Sequence, residues 1–267
     1  MTRLLDQVCV VTGAGHGIGR AIACALSDDG AHVVVADVNS EAGSETAAAI
    51  TSGGGHALAV QTDVTSPDAQ DHLFKRIASE FGRLDVLVNN AGIFHVAPLL
   101  EFPLDAWRRV FAVNLDGALL ATQRAARVMR AQPRHPATGC RGKIINISSP
   151  AAERGRPFLA PYGASKAALN HLSKSTAIVL GEHSIATTVV YPTSVHEGMF
   201  GPIADQMAEF EGMSPADFAA QRAAASPIGR LQKPEEVAAI VVWVAAQPSM
   251  GLNGRLVHTE AHVAQIP

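Results

Sequence analysis

Cysteine is scarce in this chain: three occur in 267 residues, Cys9, Cys24 and Cys140. Their number is odd and no pair has metal-type spacing, so they suggest neither a disulfide framework nor a zinc site. Cys9 and Cys24 fall inside apolar periodic segments, where a reduced cysteine behaves as a small hydrophobe, and a reducing cytosol is the expectation. Concentrated positive charge is missing too. The 21 Lys and Arg residues are scattered among 24 Asp and Glu for a net charge of −3, which leaves no electrostatic footprint for a nucleic acid. No apolar run approaches the length of a membrane span. A strand-like pattern begins within the first seven residues, leaving no room for a signal peptide, so a cytoplasmic protein with no membrane partner is expected. Neither a repeat of 20–50 residues nor a low-complexity tract is visible.

What is present is alternation. Hydrophobic residues make up 48% of the chain, enough to bury one large core, and a single α/β domain spanning 1–267 is the simplest fit. Short β-branched runs (VCVVT, HVVVAD, HALAVQ, LDVLVN, KIINIS, IATTVVY, LVH) are separated by Ala-rich helical stretches. Helices are predicted at Ile18 to Asp28, Glu41 to Ile50, Leu104 to Arg130, Pro161 to Leu180, Pro215 to Ala224 and Pro234 to Ala246. This pattern predicts a Rossmann-type doubly wound parallel sheet of about seven strands with helices on both faces. Two stretches break the rhythm. Gln132 to Gly142 reads as a mobile surface loop, and 199–226 reads as a lid over a substrate.

After the first strand comes TGAGHGIG, whose Gly13, Gly17 and Gly19 allow a sharp turn and close approach to a pyrophosphate at a helix N-terminus. His16 and Ile18 belong to the same turn. A glycine-rich turn also serves as a plain connector between strand and helix. Asp37 stands at the end of the second strand, about twenty residues on, where a carboxylate can accept from a ribose 2′-hydroxyl and would repel a 2′-phosphate. Its neighbours Val38 and Asn39 are not basic and the glycine turn has no Arg or Lys, so NAD is favoured over NADP; the alternative is that Asp37 caps a loop. Further along, Tyr162 and Lys166 are four residues apart in YGASK. On a helix that spacing puts an ammonium beside a phenol and favours the phenolate, a usable base near neutral pH. An isolated pair of this kind could equally be two surface residues.

The order TGAGHGIG, Asp63-Val64, NNAG at Asn89 to Gly92, Asn114 in VNLDG, NISS and YGASK resembles the classical short-chain dehydrogenase/reductase family over nearly the whole chain. The resemblance implies Tyr162 as proton acceptor in alcohol oxidation and donor in ketone reduction. It implies Lys166 as its partner and a holder of the nicotinamide ribose, and Asn114 as anchor of a relay water. Ser149, thirteen residues before Tyr162, takes the place of the substrate-orienting serine, while Ser148 should point to the other side of the strand. Asp63 and Val64 would flank the adenine, Asn90, Ala91 and Gly92 would line the cofactor cleft, and Pro192 and Val195 would reach the nicotinamide. Departures are present as well. Pro192 is followed by Thr193, Ser194, Val195, His196 and Glu197, placing a carboxylate where the family commonly has threonine, and the last strand runs into Glu260, Ala261 and His262 instead of an Asp-Gly-Gly turn. Gln132 to Gly142 has the look of an insertion.

His258, Glu260 and His262 alternate along that last strand and could hold a divalent cation, but hydride transfer needs none, and no metal is expected. His95 and His196 line or polarise a substrate pocket. Phe158, Leu159, Met199 and Phe200 form a pocket wall or pack in the core. The expectation is an NAD-dependent enzyme interconverting a secondary alcohol and a ketone, assembled as a homotetramer through small residues on its long helices. A 3-oxoacyl-thioester reductase of the same fold and a catalytically silent cofactor-binding protein are the rivals.

Overall fold

The computed structural model describes residues 3–195, 200–226, 228–248 and 250–259, with nothing given for the side chains of 200–203. Seven strands form one sheet: β1 Val8–Thr12, β2 His32–Asp37, β3 His56–Gln61, β4 Val86–Asn89, β5 Gly142–Ile147, β6 Ile185–Tyr191 and β7 Leu256–His258. They are ordered β3-β2-β1-β4-β5-β6-β7 and every pairing is parallel. The predicted doubly wound sheet is therefore what the chain forms. Helices follow the strands as α1 Gly17–Asp28, α2 Ser40–Ser52, α3 Pro67–Phe81, α4 Leu104–Phe111, α5 Gly117–Ala131, α6 Ala160–Gly181, α7 Phe200–Glu211, α8 Pro215–Ala224 and α9 Pro234–Ala246.

Covered on both faces, the central strands are apolar throughout, and the pleat divides their side chains between two cores. In β1, Cys9 and Val11 turn towards α1 and α9, whose Ile22, Leu26, Val241 and Val242 share their cluster. Val8 and Val10 turn the other way, onto Leu73, Phe74 and Ile77 of α3 and Ala121, Ala125 and Met129 of α5. Complete burial pushes the Cys9 thiol far above its ordinary range, and burial also raises Cys24 and Cys140. All three are free.

Helix ends follow local chemistry. The Asn39 side chain accepts from the amides of Glu41 and Ala42 to start α2. Ser66 accepts from Ala69 N–H to start α3, which Pro67 opens and Gly82 closes at φ 68°. That helix, not singled out in the sequence, is amphipathic and capped at both ends by sequence-visible residues. Glu236 anchors the start of α9 by accepting from the Lys233 amide at 2.8 Å and from Arg230 at 2.6 Å. These contacts hold its carboxyl down at about 2.

Two expectations need correction. The predicted helix Leu104 to Arg130 is interrupted: α4 ends at Phe111, residues Ala112–Asp116 form one π-helical turn, and α5 begins at Gly117. A Cβ on Gly117 would stand 2.9 Å from Val64 Cγ2, so the break lies where the helix presses closest on a neighbouring turn. The second correction concerns Gln132 to Gly142, which is anchored: Gln132, Thr138 and Cys140 are buried. Gln132 Oε1 accepts from Leu84 N–H at 2.9 Å, and its Nε2 donates to the carbonyls of Leu84 at 2.7 Å and Arg141 at 2.5 Å. One side chain thus satisfies three backbone groups that no ladder reaches.

Gln132→Ala strands those groups in a water-poor site. We expect a loss of about 2–3 kcal/mol in urea unfolding and faster amide exchange at Leu84; a variant with unchanged midpoint and exchange would show that the loop is held by other means.

Candidate active site

The strand order reverses between β1 and β4, and there a crevice opens beyond the carboxyl ends of the strands. It is a cleft of about 890 Å³. Its floor depends on backbone approach. Gly13 and Gly17 have φ of 63° and 51°, in the left-handed region that disfavours a side chain. A Cβ on Gly19 would come within 2.0 Å of Gly13 O. Asn90 Nδ2 donates to the carbonyls of Thr12 at 2.9 Å and Gly13 at 3.0 Å, and Thr12 Oγ1 accepts from the amides of Asn90 and Ala91 at 3.1 Å. The turn is therefore clamped from β4. His16 stands at the N-cap of α1 without a side-chain capping bond, so the first amides of that helix, including Gly17 and Ile18, face the cleft available to an anion.

Asp37 borders the cleft and is held by two backbone amides. Its Oδ2 accepts from Gly15 N–H at 2.7 Å and its Oδ1 from Asn39 N–H at 2.9 Å. Gly15 was not singled out in the sequence. A Cβ there would lie 2.8 Å from Ala42 Cβ and 3.0 Å from Asp37 Oδ2, so only glycine brings an amide to that carboxylate. Asp63 and Val64 also border the cleft; the Asp63 carboxylate accepts from Thr65 N–H and Oγ1 at 2.9 and 2.7 Å.

At the other end Ser149, Tyr162 and Lys166 converge. Ser149 caps the short 3₁₀ turn Pro150–Ala152, accepting from Ala151 N–H, and hydrogen-bonds the Tyr162 hydroxyl. Lys166 is buried, donates to Ile147 O at 2.8 Å, and holds Nζ 5.8 Å from the centre of the Tyr162 ring. Burial drives the Lys166 ammonium down to about 8. Tyr162 moves the opposite way: burial pushes its phenol up, and the Ser149 hydrogen bond offsets only part of that. In this cleft the phenol is thus protonated at neutral pH, contrary to the expectation that lysine alone brings it down. The i, i+4 spacing places the ammonium beneath the ring, but its proton points at a carbonyl.

Among the expected site residues, Asn114 alone does not border the cleft; Gly13, His16, Gly17, Ile18, Gly19, Asp37, Asp63, Val64, Asn90, Ala91, Gly92, Ser149, Tyr162, Lys166, Pro192 and Val195 all do. Asn114 is buried on the π turn, where it accepts from Ile93 N–H at 2.8 Å and donates to Ile93 O at 2.9 Å and Ser165 Oγ at 3.0 Å. Gly92 separates it from the cleft, and a Cβ there would sit 3.4 Å from Asn114 Oδ1 and 3.5 Å from Lys166 Nζ. Ser148 is buried with its hydroxyl unpartnered among the described residues. Val195 pairs with Gln232, whose side chain also accepts from Thr193 N–H and Thr259 Oγ1. No motif pointed to Gln232.

His95 lies outside the cleft, edge-on to Phe102. Phe158 stacks on Phe210 of α7 at 4.8 Å, and Leu159 borders the cleft, so the apolar wall and the core reading both hold, one for each residue. His258 rests on the Tyr191 ring. His196, Glu197, Met199, Glu260, Ala261 and His262 lie outside the described residues, as does the Phe200 side chain. Among the described residues no cluster of His, Cys, Asp and Glu is arranged to hold a metal ion, and no helix is long and apolar enough to cross a membrane. Sequence reasoning passed over Arg109, Arg156 and Arg222. They border the cleft from α4, from the segment after β5 and from α8, three elements far apart in the chain.

Comparison with known proteins gives the same picture. A family model described as short chain dehydrogenase matches residues 7–208. A 3-oxoacyl-[acyl-carrier-protein] reductase of Synechocystis is 37% identical over 93% of each chain. The crystal structure of NAD⁺-bound xylitol dehydrogenase superposes with a TM-score of 0.89 at 29% identity, covering 96% of this chain and 98% of that one. A candidate NAD(P)-dependent gluconate 5-dehydrogenase from Beutenbergia cavernae, with NADP at low occupancy, gives 0.84 at 31% identity and 96% of both chains.

On the expectation that Tyr162 exchanges the substrate proton, the raised phenol predicts that alcohol oxidation accelerates as pH rises from 7 towards 10, while ketone reduction, which would use the protonated phenol, slows. Tyr162→Phe should remove most turnover in both directions, about 10²–10⁴-fold, with cofactor binding retained. Initial rates in both directions across that pH range check both points; rates within tenfold of wild type in Tyr162→Phe would remove the phenol from the chemistry.

Proposed function

The chain belongs to the short-chain dehydrogenase family of oxidoreductases, and within it we propose an NAD-dependent enzyme that interconverts a secondary alcohol and a ketone. The observation that carries the reading is the convergence of Ser149, Tyr162 and Lys166 in one cleft with the glycine turn and Asp37. The site suits a nicotinamide dinucleotide on its own geometry. The absence of a Cβ on Gly19 lets the Gly13 carbonyl and the Asn90 amide close in and keep the turn tight, the N-terminus of α1 is uncapped, and Asp37 is held rigidly at the rim. NAD supplies the hydride acceptor.

For their part, the residues of this chain manage the proton. Ser149 orients the substrate hydroxyl towards Tyr162, which takes its proton during oxidation and returns one during reduction. Lys166 stands under the ring as the charge that favours the deprotonated phenol once Ile147 O yields its hold, and it is placed to donate to a ribose. Asn114 keeps Ile93 and Ser165 in register and so fixes the wall beside Lys166; anchoring a relay water is its proposed further role. Asp63 and Val64 would flank the adenine, and Pro192 and Val195 would back the nicotinamide.

Cofactor choice rests on charge. The Lys and Arg residues bordering the cleft among the described residues are Arg109, Arg156, Lys166 and Arg222, and none lies on an element flanking Asp37. A 2′-phosphate would meet a carboxylate there with no Lys or Arg to receive it. This argues against the 3-oxoacyl-thioester reductase reading, for which NADPH is the expected reductant. The silent-protein reading is disfavoured by the intact set of Asn114, Ser149, Tyr162 and Lys166.

Residues 199–226 contain α7 and α8, which share a small apolar core of Ala204, Met207, Ala208 and Phe218 with Phe158 and with Leu159 of the cleft wall. We assign this pair as the substrate lid, hinged on Gly212 at φ 68°. Exposed Ile178 and Val179 on α6 and Trp243 on α9 support burial against further copies in a homotetramer, and a cytoplasmic location agrees with three free cysteines, of which Cys9 and Cys140 are buried.

Two outcomes are expected. Val38 is 63% exposed and can be replaced without disturbing the core, so Asp37→Asn with Val38→Arg should swing the NADP-to-NAD ratio of kcat/KM by about 10–100-fold; a wild type already favouring NADP would end the argument from Asp37. Hydrogen exchange with NAD and a substrate analogue should slow within 204–226, and an unchanged profile would make α7 and α8 fixed scaffold.

A further inference from the structure

Three arginines border the cleft, from α4, from the segment after β5 and from α8, and their surroundings differ. Arg222 is accounted for: it pairs with Glu211 at 3.3 Å and lies over the Phe218 ring at 4.7 Å. Arg109 is on the exposed surface of α4 at the cleft mouth. Arg156 is half-buried, six residues before Tyr162, between the 3₁₀ turn that Ser149 caps and the start of α6. Its backbone carbonyl accepts from Leu159 N–H, which fixes the segment, yet its guanidinium has neither a hydrogen-bond nor an ion-pair partner among the described residues.

The charges around Arg156 make that condition worse for it. Burial pushes its pKa down, and repulsion from Arg222 and Arg154 adds to that. Glu211 opposes them but is already engaged by Arg222, and Glu153 takes the hydrogen bond of Tyr191. The remaining walls of this end are apolar, from Leu159, Met207 and Phe218. A half-buried guanidinium with no protein partner is disfavoured, because the donors that lose solvent gain no hydrogen bond in exchange. A planar oxyanion supplies two acceptors in the geometry of the guanidinium fork and offsets the repulsion from the neighbouring arginines.

We propose that the substrate of this cleft carries a carboxylate on the same carbon chain as its reacting hydroxyl, and that Arg156 receives it. The class is a small hydroxy acid, with its ketone being an oxo acid. The inference rests on the dehydrogenase reading above and deepens it. Arg156 approaches from the Ser149–Tyr162 side, so the anion it holds leaves the hydroxyl-bearing carbon beside those two residues. Arg222, steered by Glu211 on the lid, closes the same end from above. Arg156 is a positioning and specificity residue with no part in the proton transfer.

The test compares hydroxy acids of three to seven carbons with their methyl esters as substrates for NADH formation, in wild type, Arg156→Ala and Arg156→Lys. Wild type should favour the acid in kcat/KM by about 10–100-fold, mainly through KM. Arg156→Ala should bring the acid-to-ester ratio close to one, and Arg156→Lys should restore part of it. Arg156→Gln serves if the alanine variant does not fold. In parallel, calorimetry reads the binding of glutarate and of inorganic phosphate to the NAD-loaded protein, where loss of Arg156 should weaken glutarate by a similar factor. An ester preferred by wild type, a ratio unmoved by substitution, phosphate bound more tightly than glutarate, or an equal loss of NAD affinity in Arg156→Ala would each overturn the proposal. Should neither acids nor esters be oxidised while glutarate binding still depends on Arg156, the dehydrogenase reading fails and the anion site stands.

Discussion

The hydrogen bonds that Asn90 makes to the carbonyls of Thr12 and Gly13 hold together everything that follows. They join the end of β4 to the end of β1 at the one place in the sheet where the chain reverses its winding. A parallel sheet leaves the strand ends without ladder partners there, and the crevice this opens is useful only if its rim is rigid. Asn90 supplies the missing donor, and Thr12 returns an acceptor to the amides of Asn90 and Ala91. The glycine turn is thereby held in a left-handed conformation with α1 aimed into the cleft.

A second set of contacts ties the far end of the cleft to the same rim. Gly92 follows directly on the clamp and is narrow enough for Asn114 and Lys166 to approach from either side. The π turn that presents Asn114 breaks a helix that regular hydrogen bonding would have continued, and such a turn is a small sacrifice of backbone geometry that re-aims one residue. Asn114 uses both ends of its amide on Ile93 and Ser165, so the segment after β4 and the helix carrying Tyr162 and Lys166 are registered against each other. Proton transfer needs that register, because a hydroxyl misplaced by about 1 Å loses its line to the phenol.

Burial at this end has opposite effects on neighbouring groups. It raises Tyr162, lowers Lys166 and lowers Arg156, since in each case the charged form is the one deprived of water. The cleft is thus a site where charges are held short of partners. In the reading proposed above, bound ligands that bring complementary groups relieve this, which would link substrate choice and proton transfer to one physical cause.

Much of this was legible in the chain. Period-two and valine-rich runs, with the glycine turn after the first of them, were enough for a doubly wound parallel sheet, because strands buried on both faces must be apolar throughout. Spacing alone put Asp37 at a strand end and Tyr162 and Lys166 on one helix face. What the sequence could not supply was whatever depends on packing between distant segments. The π turn at Asn114, the anchoring of Gln132 to Leu84 and Arg141, the need for glycine at position 15, and the bridge from Val195 to Gln232 all involve partners brought together only by the fold. So does the direction in which Tyr162 titrates. Four residues on a helix fix the distance to Lys166, but how much water reaches the phenol is set by the walls of the cleft. The placing of Arg109, Arg156 and Arg222 around one cleft is likewise tertiary, because residues on three separate elements leave no periodic trace in the sequence, and the charges of Arg156 and Arg222 meet only when their elements close around the same space.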